Sequence, residues 1–191
     1  LSGGRQHYGL GGLLTVRREE RRPHEGGGRE NPEGHLGDTP FIQTNHPEIR
    51  AQAQAIVAGS GGNEDKARRI VDWVYRNIAK RPVLSVSNAV ETLRNRAGDC
   101  TEHAVLTAAL ARAAGIPAQL ETGVVYQKGR FYYHAWNVFR LADWGGWVTA
   151  DAVMNQLPAD VTHLRLVRGE AEQQLDLMGV VGRMKLKIKE M

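Results

Sequence analysis

A chain of 191 residues with a single cysteine, Cys100, has no partner for an internal disulfide. Zinc sites built from several cysteines are excluded on the same count. Long apolar runs are missing too: no stretch approaches the ~18 residues that would carry a helix across a membrane. No signal peptide is visible, because Leu10–Val16 is short and glycine-rich and runs straight into Arg17 and Arg18. The net charge is +4, yet no zinc-finger, RNA-recognition or basic-zipper pattern accompanies it. Its local basic clusters, Arg17–Arg22 and Arg183–Lys189, sit at opposite ends and read as solvated surface. No nucleic-acid partner, cofactor or metal site is therefore expected, and no internal repeat is present.

What is there suits one well-buried domain. Hydrophobic residues make up 41% of the chain, an ordinary share for a soluble fold. Residues 1–38 are rich in Gly, Arg and Glu and read as a flexible or loosely attached segment, or as the end of a preceding domain. The ordered domain is expected over 39–191. Asn45 and Pro47 open a predicted helix that ends near Ala58, before Gly59-Ser60-Gly61-Gly62. Asn63 is expected to cap a second helix to about Ala79, whose Ala67, Ile70, Val71, Val74 and Ile78 recur at the spacing of one buried face. A short helix is expected over Asn88–Asn95. Thr101–Ala114 reads as a nearly all-apolar, central helix closed by Gly115-Ile116-Pro117.

The period then changes from helical to alternating. Gln119–Tyr126 and Phe131–Leu141 form a predicted hairpin around Gln127-Lys128-Gly129-Arg130. Trp147–Asp151 is expected as a third strand, and His163–Val167 and Met184–Ile188 as later ones. Helices first and strands afterwards argue for the α+β class.

Cys100 stands at the start of the central helix, where backbone N–H groups and the helix dipole favour a thiolate. Gly98 permits a sharp entry and Asp99 is placed to cap. A thiolate nucleophile needs a base that can return a proton. Of seven histidines, His134 is the one set in mid-strand, within Tyr133-His134-Ala135-Trp136-Asn137, while His103 shares the cysteine's own helix. If the turn between the second and third strands is centred between Ala142 and Asp143, His134 faces Asp151, which would fix its tautomer. A different turn would move that pairing by one or two residues.

The runs Gly98-Asp99-Cys100-Thr101-Glu102-His103-Ala104, Ala113-Ala114-Gly115-Ile116-Pro117-Ala118, Tyr133-His134-Ala135-Trp136-Asn137 and Gly146-Trp147-Val148-Thr149-Ala150-Asp151 resemble, in order and spacing, a transglutaminase-like core of the bacterial cysteine-peptidase type. The resemblance covers roughly residues 67–155. It implies a papain-like α+β fold with a central helix bearing Cys100 packed on an antiparallel sheet bearing His134 and Asp151, so that 39–191 would be the catalytic domain. Many relatives carry an acidic residue where this chain has Val138, and no acidic cluster suggests the calcium sites of the animal cross-linking enzymes. The backbone N–H of Cys100 and the side chain of Asn88 are candidate oxyanion donors. The activity implied is thiol-dependent acyl transfer on a protein or peptide, first as hydrolysis of a peptide or isopeptide bond. Transfer to an amine, or a binding module without turnover, are the alternatives. Oligomeric state and compartment have no signature in the sequence.

Overall fold

The computed structural model describes residues 1–21, 32–82, 87–169 and 185–189. Helix α1 spans Pro47–Val57, and its cap is His46, whose Nδ1 accepts from the Glu48 N–H at 3.3 Å, rather than the expected Asn45. Helix α2 spans Asn63–Asn77, so Asn63 is its first helical residue and Gly62 precedes it. The predicted face is the buried one, with Ala67, Ile70, Val71 and Val74 inside. A two-residue strand β3 (Ala79–Lys80) follows α2, where the sequence suggested more helix. Helix α3 (Ala89–Asn95) is closed at its start by a reciprocal capping box between Asn88 and Glu91.

Strand β4 (Ala97–Gly98) pairs in parallel with β3 and leads directly into α4 (Cys100–Ala113). Every residue of α4 from Glu102 to Arg112 is buried, as its all-round apolar sequence requires. Helices α1, α2 and α3 pack against it on one side. On the other lies a four-stranded antiparallel sheet built from β5 (Ala118–Gln127), β6 (Arg130–Leu141), β7 (Gly146–Ala150) and β8 (His163–Gly169). The order across the sheet is β7-β6-β5-β8. Ala135, Phe139 and Leu141 of β6 join Val105, Leu106, Ala109 and Leu110 of α4 in one hydrophobic core. Helices and antiparallel strands are thus segregated along the chain, which is the α+β arrangement.

Residues Gln6–Tyr8 (β1) and Leu14–Val16 (β2) pair as a small hairpin inside the segment that composition suggested was loosely attached. Polar side chains dock the surrounding residues on the sheet. Gln6 exchanges two hydrogen bonds with the Arg165 backbone, 2.7 and 2.9 Å long, like a strand peptide added to the free edge of β8. Glu19 accepts from the Thr149 N–H at 3.0 Å on the opposite edge strand, β7. Composition is blind to such docking because it depends on single polar contacts, not on an apolar period. Of the predicted late strand Met184–Ile188, Met184 lies outside the described residues, and 185–189 show no strand among the described residues.

Candidate active site

The geometry around Cys100 begins with its neighbours. Asp99 caps α4 by accepting from the Thr101 N–H at 2.8 Å, and Glu102 returns a bond from the Asp99 N–H at 3.0 Å. The other Glu102 oxygen accepts from the Ser87 N–H at 3.0 Å. Burial and the adjacent Asp99 carboxylate push the Glu102 carboxyl above its usual range. Gly98 is obligatory because a Cβ there would sit 2.3 Å from the Glu102 Cβ. The sequence assigned that glycine to a sharp turn; the physical reason is this close approach. Cys100 is left partly exposed at the first helical position.

His134 is buried on β6, and its Nε2 lies 2.7 Å from Asp151 Oδ2. A carboxylate only accepts, so Nε2 carries a proton, and Nδ1 is the ring nitrogen that Asp151 leaves unused. Burial pushes the imidazole down, but the bonds to Asp151 and Cys100 outweigh it and raise His134 to about 9. Burial pushes Asp151 the other way, toward the neutral acid. Hydrogen bonds from His134 and His163 overcome that and hold Asp151 well below the usual carboxylate range. Tyr133, beside the thiol, is pushed up by burial and by the charge at Cys100.

The structure therefore brings all three expected residues together, although the expected register does not hold. Asn137 pairs with Ala150 and Val138 with Thr149, because a turn of 3-10 helix, Ala142–Trp144, lengthens the connection. Continued to His134, that register points to Val153, two residues beyond Asp151. A shift of two leaves the face of the strand unchanged, which is why the contact survives. The chain also bends after Ala150, where Asp151 pairs with Gln156 in an isolated bridge.

Two other residues are placed by their contacts. His103 is buried and lies 2.6 Å from the Asp99 carbonyl and 3.3 Å from that of Ile78, tying α4 to the end of α2. Asn88 uses its Oδ1 to cap α3, accepting from the Glu91 N–H at 2.9 Å. A residue the sequence reading passed over is His163, whose Nε2 lies 2.9 Å from the same Asp151 oxygen. Its position at the start of a strand was visible in the sequence; the partner it meets across the fold was not. His134, Asp151 and His163 each offer one possible metal ligand atom within 4.8 Å of the others, but direct hydrogen bonds already join these atoms.

A cysteine at the start of a central helix, with a bonded histidine and aspartate on the adjoining antiparallel sheet, defines the papain-like class of α+β folds. The profile of the transglutaminase-like superfamily matches residues 50–152, more than half of the chain, and the chain belongs to that superfamily. Among solved structures it is similar to a candidate cysteine protease from Cytophaga hutchinsonii, with 25% identity and a TM-score of 0.61 over 72% of this chain and 46% of that one. It is also similar in fold to the periplasmic domain of TgpA from Pseudomonas aeruginosa, with 19% identity and a TM-score of 0.52 over 65% of this chain and 47% of that one. The chain thus spans less than half the length of either. No curated protein sequence matches it. Among the described residues, no helix is long and apolar enough to cross a membrane.

Proposed function

We propose that this chain is a cysteine hydrolase that cleaves an amide bond in a protein or peptide, with Cys100 as nucleophile, His134 as proton carrier and Asp151 as the group that orients His134. The observation that carries this reading is the buried His134–Asp151 bond of 2.7 Å on an imidazole whose hold on its proton Cys100 strengthens. With His134 raised to about 9, the imidazolium form is the resting one near neutral pH, poised beside the nucleophile at the start of α4. The thiolate attacks the carbonyl carbon, forming a C–S bond and a tetrahedral oxyanion near the backbone N–H of Cys100 at the start of α4. Collapse of that intermediate breaks the C–N bond as His134 gives its proton to the leaving amine. Acylation removes the negative charge beside His134, so its affinity for a proton falls and it becomes a base for the incoming water. Water then forms the new C–O bond, the C–S bond breaks, and the resting pair is restored.

The test separates nucleophile from acceptor. Limiting iodoacetamide should modify wild-type Cys100 quickly at pH 6–7, where a free thiol, with its pKa near ~8.5, is almost wholly protonated. His134→Gln should slow that reaction at least about tenfold, equivalent to roughly one pH unit or more. Cys100 that reacts only after unfolding would end the enzyme reading. Unfolded protein substrates offered together with a labelled primary amine then report the acceptor. New peptide termini support hydrolysis; label incorporation without cleavage would replace hydrolysis by amine transfer, the alternative the superfamily allows.

A further inference from the structure

His163 is wholly buried, with a side-chain exposure of 0%, and no step above uses it. Its Nε2 lies 2.9 Å from Asp151 Oδ2, the oxygen that His134 also meets. The other carboxylate oxygen, Oδ1, accepts from the Val153 N–H at 2.7 Å and the Met154 N–H at 3.1 Å. An ionised carboxylate has about four acceptor positions, so all of those on Asp151 are filled. Rotation of the carboxylate would have to break bonds on both oxygens at once, in a place where water cannot replace them.

His163 is itself held from several directions. Its Nδ1 lies 3.2 Å from Asp160 Oδ1, and Asp160 is fixed by the Thr162 N–H at 2.9 Å and by Gln156 Nε2 at 2.9 Å. The Trp136 ring meets it edge-on at 5.1 Å, and the His134 ring lies 5.8 Å away. Arg5, from the N-terminal segment, donates to the His163 carbonyl at 3.4 Å. Among the described residues, the charged and titratable groups around His163 are Asp151, Asp160, His134 and Arg5, with Glu19, Glu121, Arg165 and Arg168 lining the same small cavity.

We propose that His163 is a positioning residue for the Cys100–His134–Asp151 site. It pins Asp151 Oδ2 so that His134 is held with Nδ1 toward Cys100, and Asp160 holds His163 in turn. The inference rests on the nucleophile reading above, and it adds a fourth and a fifth residue that act through Asp151.

The test is the pH dependence of Cys100 alkylation by iodoacetamide in the intact chain, measured beside thermal melting. His163→Leu removes both ring nitrogens. His163→Asn keeps a group near Nδ1 and loses the one that reaches Asp151, whereas His163→Gln can place an N–H near Nε2. The Leu and Asn variants should react about tenfold more slowly than wild type at pH 6–7 and converge with it above pH 9, and Gln should restore most of the rate. A purely structural histidine would lower the melting temperature without moving the pH profile. A wild-type profile in whichever of the Leu and Asn variants folds overturns the proposal. If neither folds, Gln and Asp160→Ala decide: positioning requires a wild-type-like profile in Gln and a slowed reaction at pH 6–7 in Asp160→Ala. Any other pattern overturns it. A wild-type Cys100 inert at pH 6–7 would instead remove the nucleophile reading itself, so the two failures are distinguishable.

Discussion

His134 is 5% exposed, and burial alone would favour its neutral form. The Asp151 and Cys100 contacts reverse that preference and raise it from 6.5 to about 9. A histidine raised on folding contributes stability that is fully present below pH 6.5 and is lost as pH rises through about 9. The contribution of this one group is on the order of 3 kcal/mol. Asp151 has the opposite sign: its depressed value contributes above pH 3.8, and the contribution is lost as acid titrates the folded carboxylate. The expected result is a wild-type melting temperature that declines from pH 6.5 to 9.5 more steeply than that of His134→Gln, which has no imidazole to deprotonate. Parallel curves for the two proteins would show that the folded state does not raise His134.

The first turn of α4 is the element on which the nucleophile depends. A methyl group at position 98 would sit 2.3 Å from Glu102 Cβ and 2.9 Å from its Cγ, with the Glu102 carboxylate already committed to Asp99 and Ser87. Gly98→Ala should therefore cost about 2 kcal/mol in urea unfolding, within the usual range for overpacking. It should also slow Cys100 alkylation at neutral pH. Gly61→Ala is the matched control, because its Cβ would meet open space. A cost below about 0.5 kcal/mol for Gly98→Ala, no larger than an ordinary surface change, would mean that the turn relaxes freely.

Much of this element level was legible in the sequence, since it rests on local chemistry. Asp99 before an apolar run marks a helix start, and so does Asn88 followed three residues later by Glu91. The β5–β6 hairpin follows from alternation around Lys128-Gly129, both of which have positive φ. Where two local candidates competed, the order was less readable: His46 caps α1 although Asn45 is the commoner capping type. The two-residue β3–β4 pair has no period to detect. The alignment of His134 with Asp151 depended on the length of one turn, and Asp160 lies within, and His163 directly after, a connection, 151–162, that has neither helical nor strand period.

The superfamily match, residues 50–152, contains Cys100, His134 and Asp151 but leaves out both β1–β2 and β8. The parts that cover the sheet edges and close around Asp151 are thus outside it. Arg5 links these parts: its side chain is 6% exposed, it donates to the carbonyls of Ala159 and His163, and it lies 3.8 Å from Glu19. Burial pushes the Arg5 guanidinium down and the Glu19 carboxyl up, so each charge depends on the other for compensation. Removing one partner of a buried pair costs more than the pair itself is worth, typically about 3 kcal/mol or more, because the remaining charge is stranded. Arg5→Met keeps the length of the side chain but strands Glu19 and two carbonyls. It should lower the urea midpoint of the full chain and speed tryptic cleavage after Arg17 and Arg18, which requires the segment to lift off the sheet. Adding Glu19→Gln should recover part of the loss, since a neutral amide can still accept from Thr149. If Arg5→Met is cleaved at the wild-type rate, with an unchanged midpoint, the remaining contacts, Gln6 with Arg165 and Glu19 with Thr149, anchor the segment and the path from Arg5 to His163 is not a structural one.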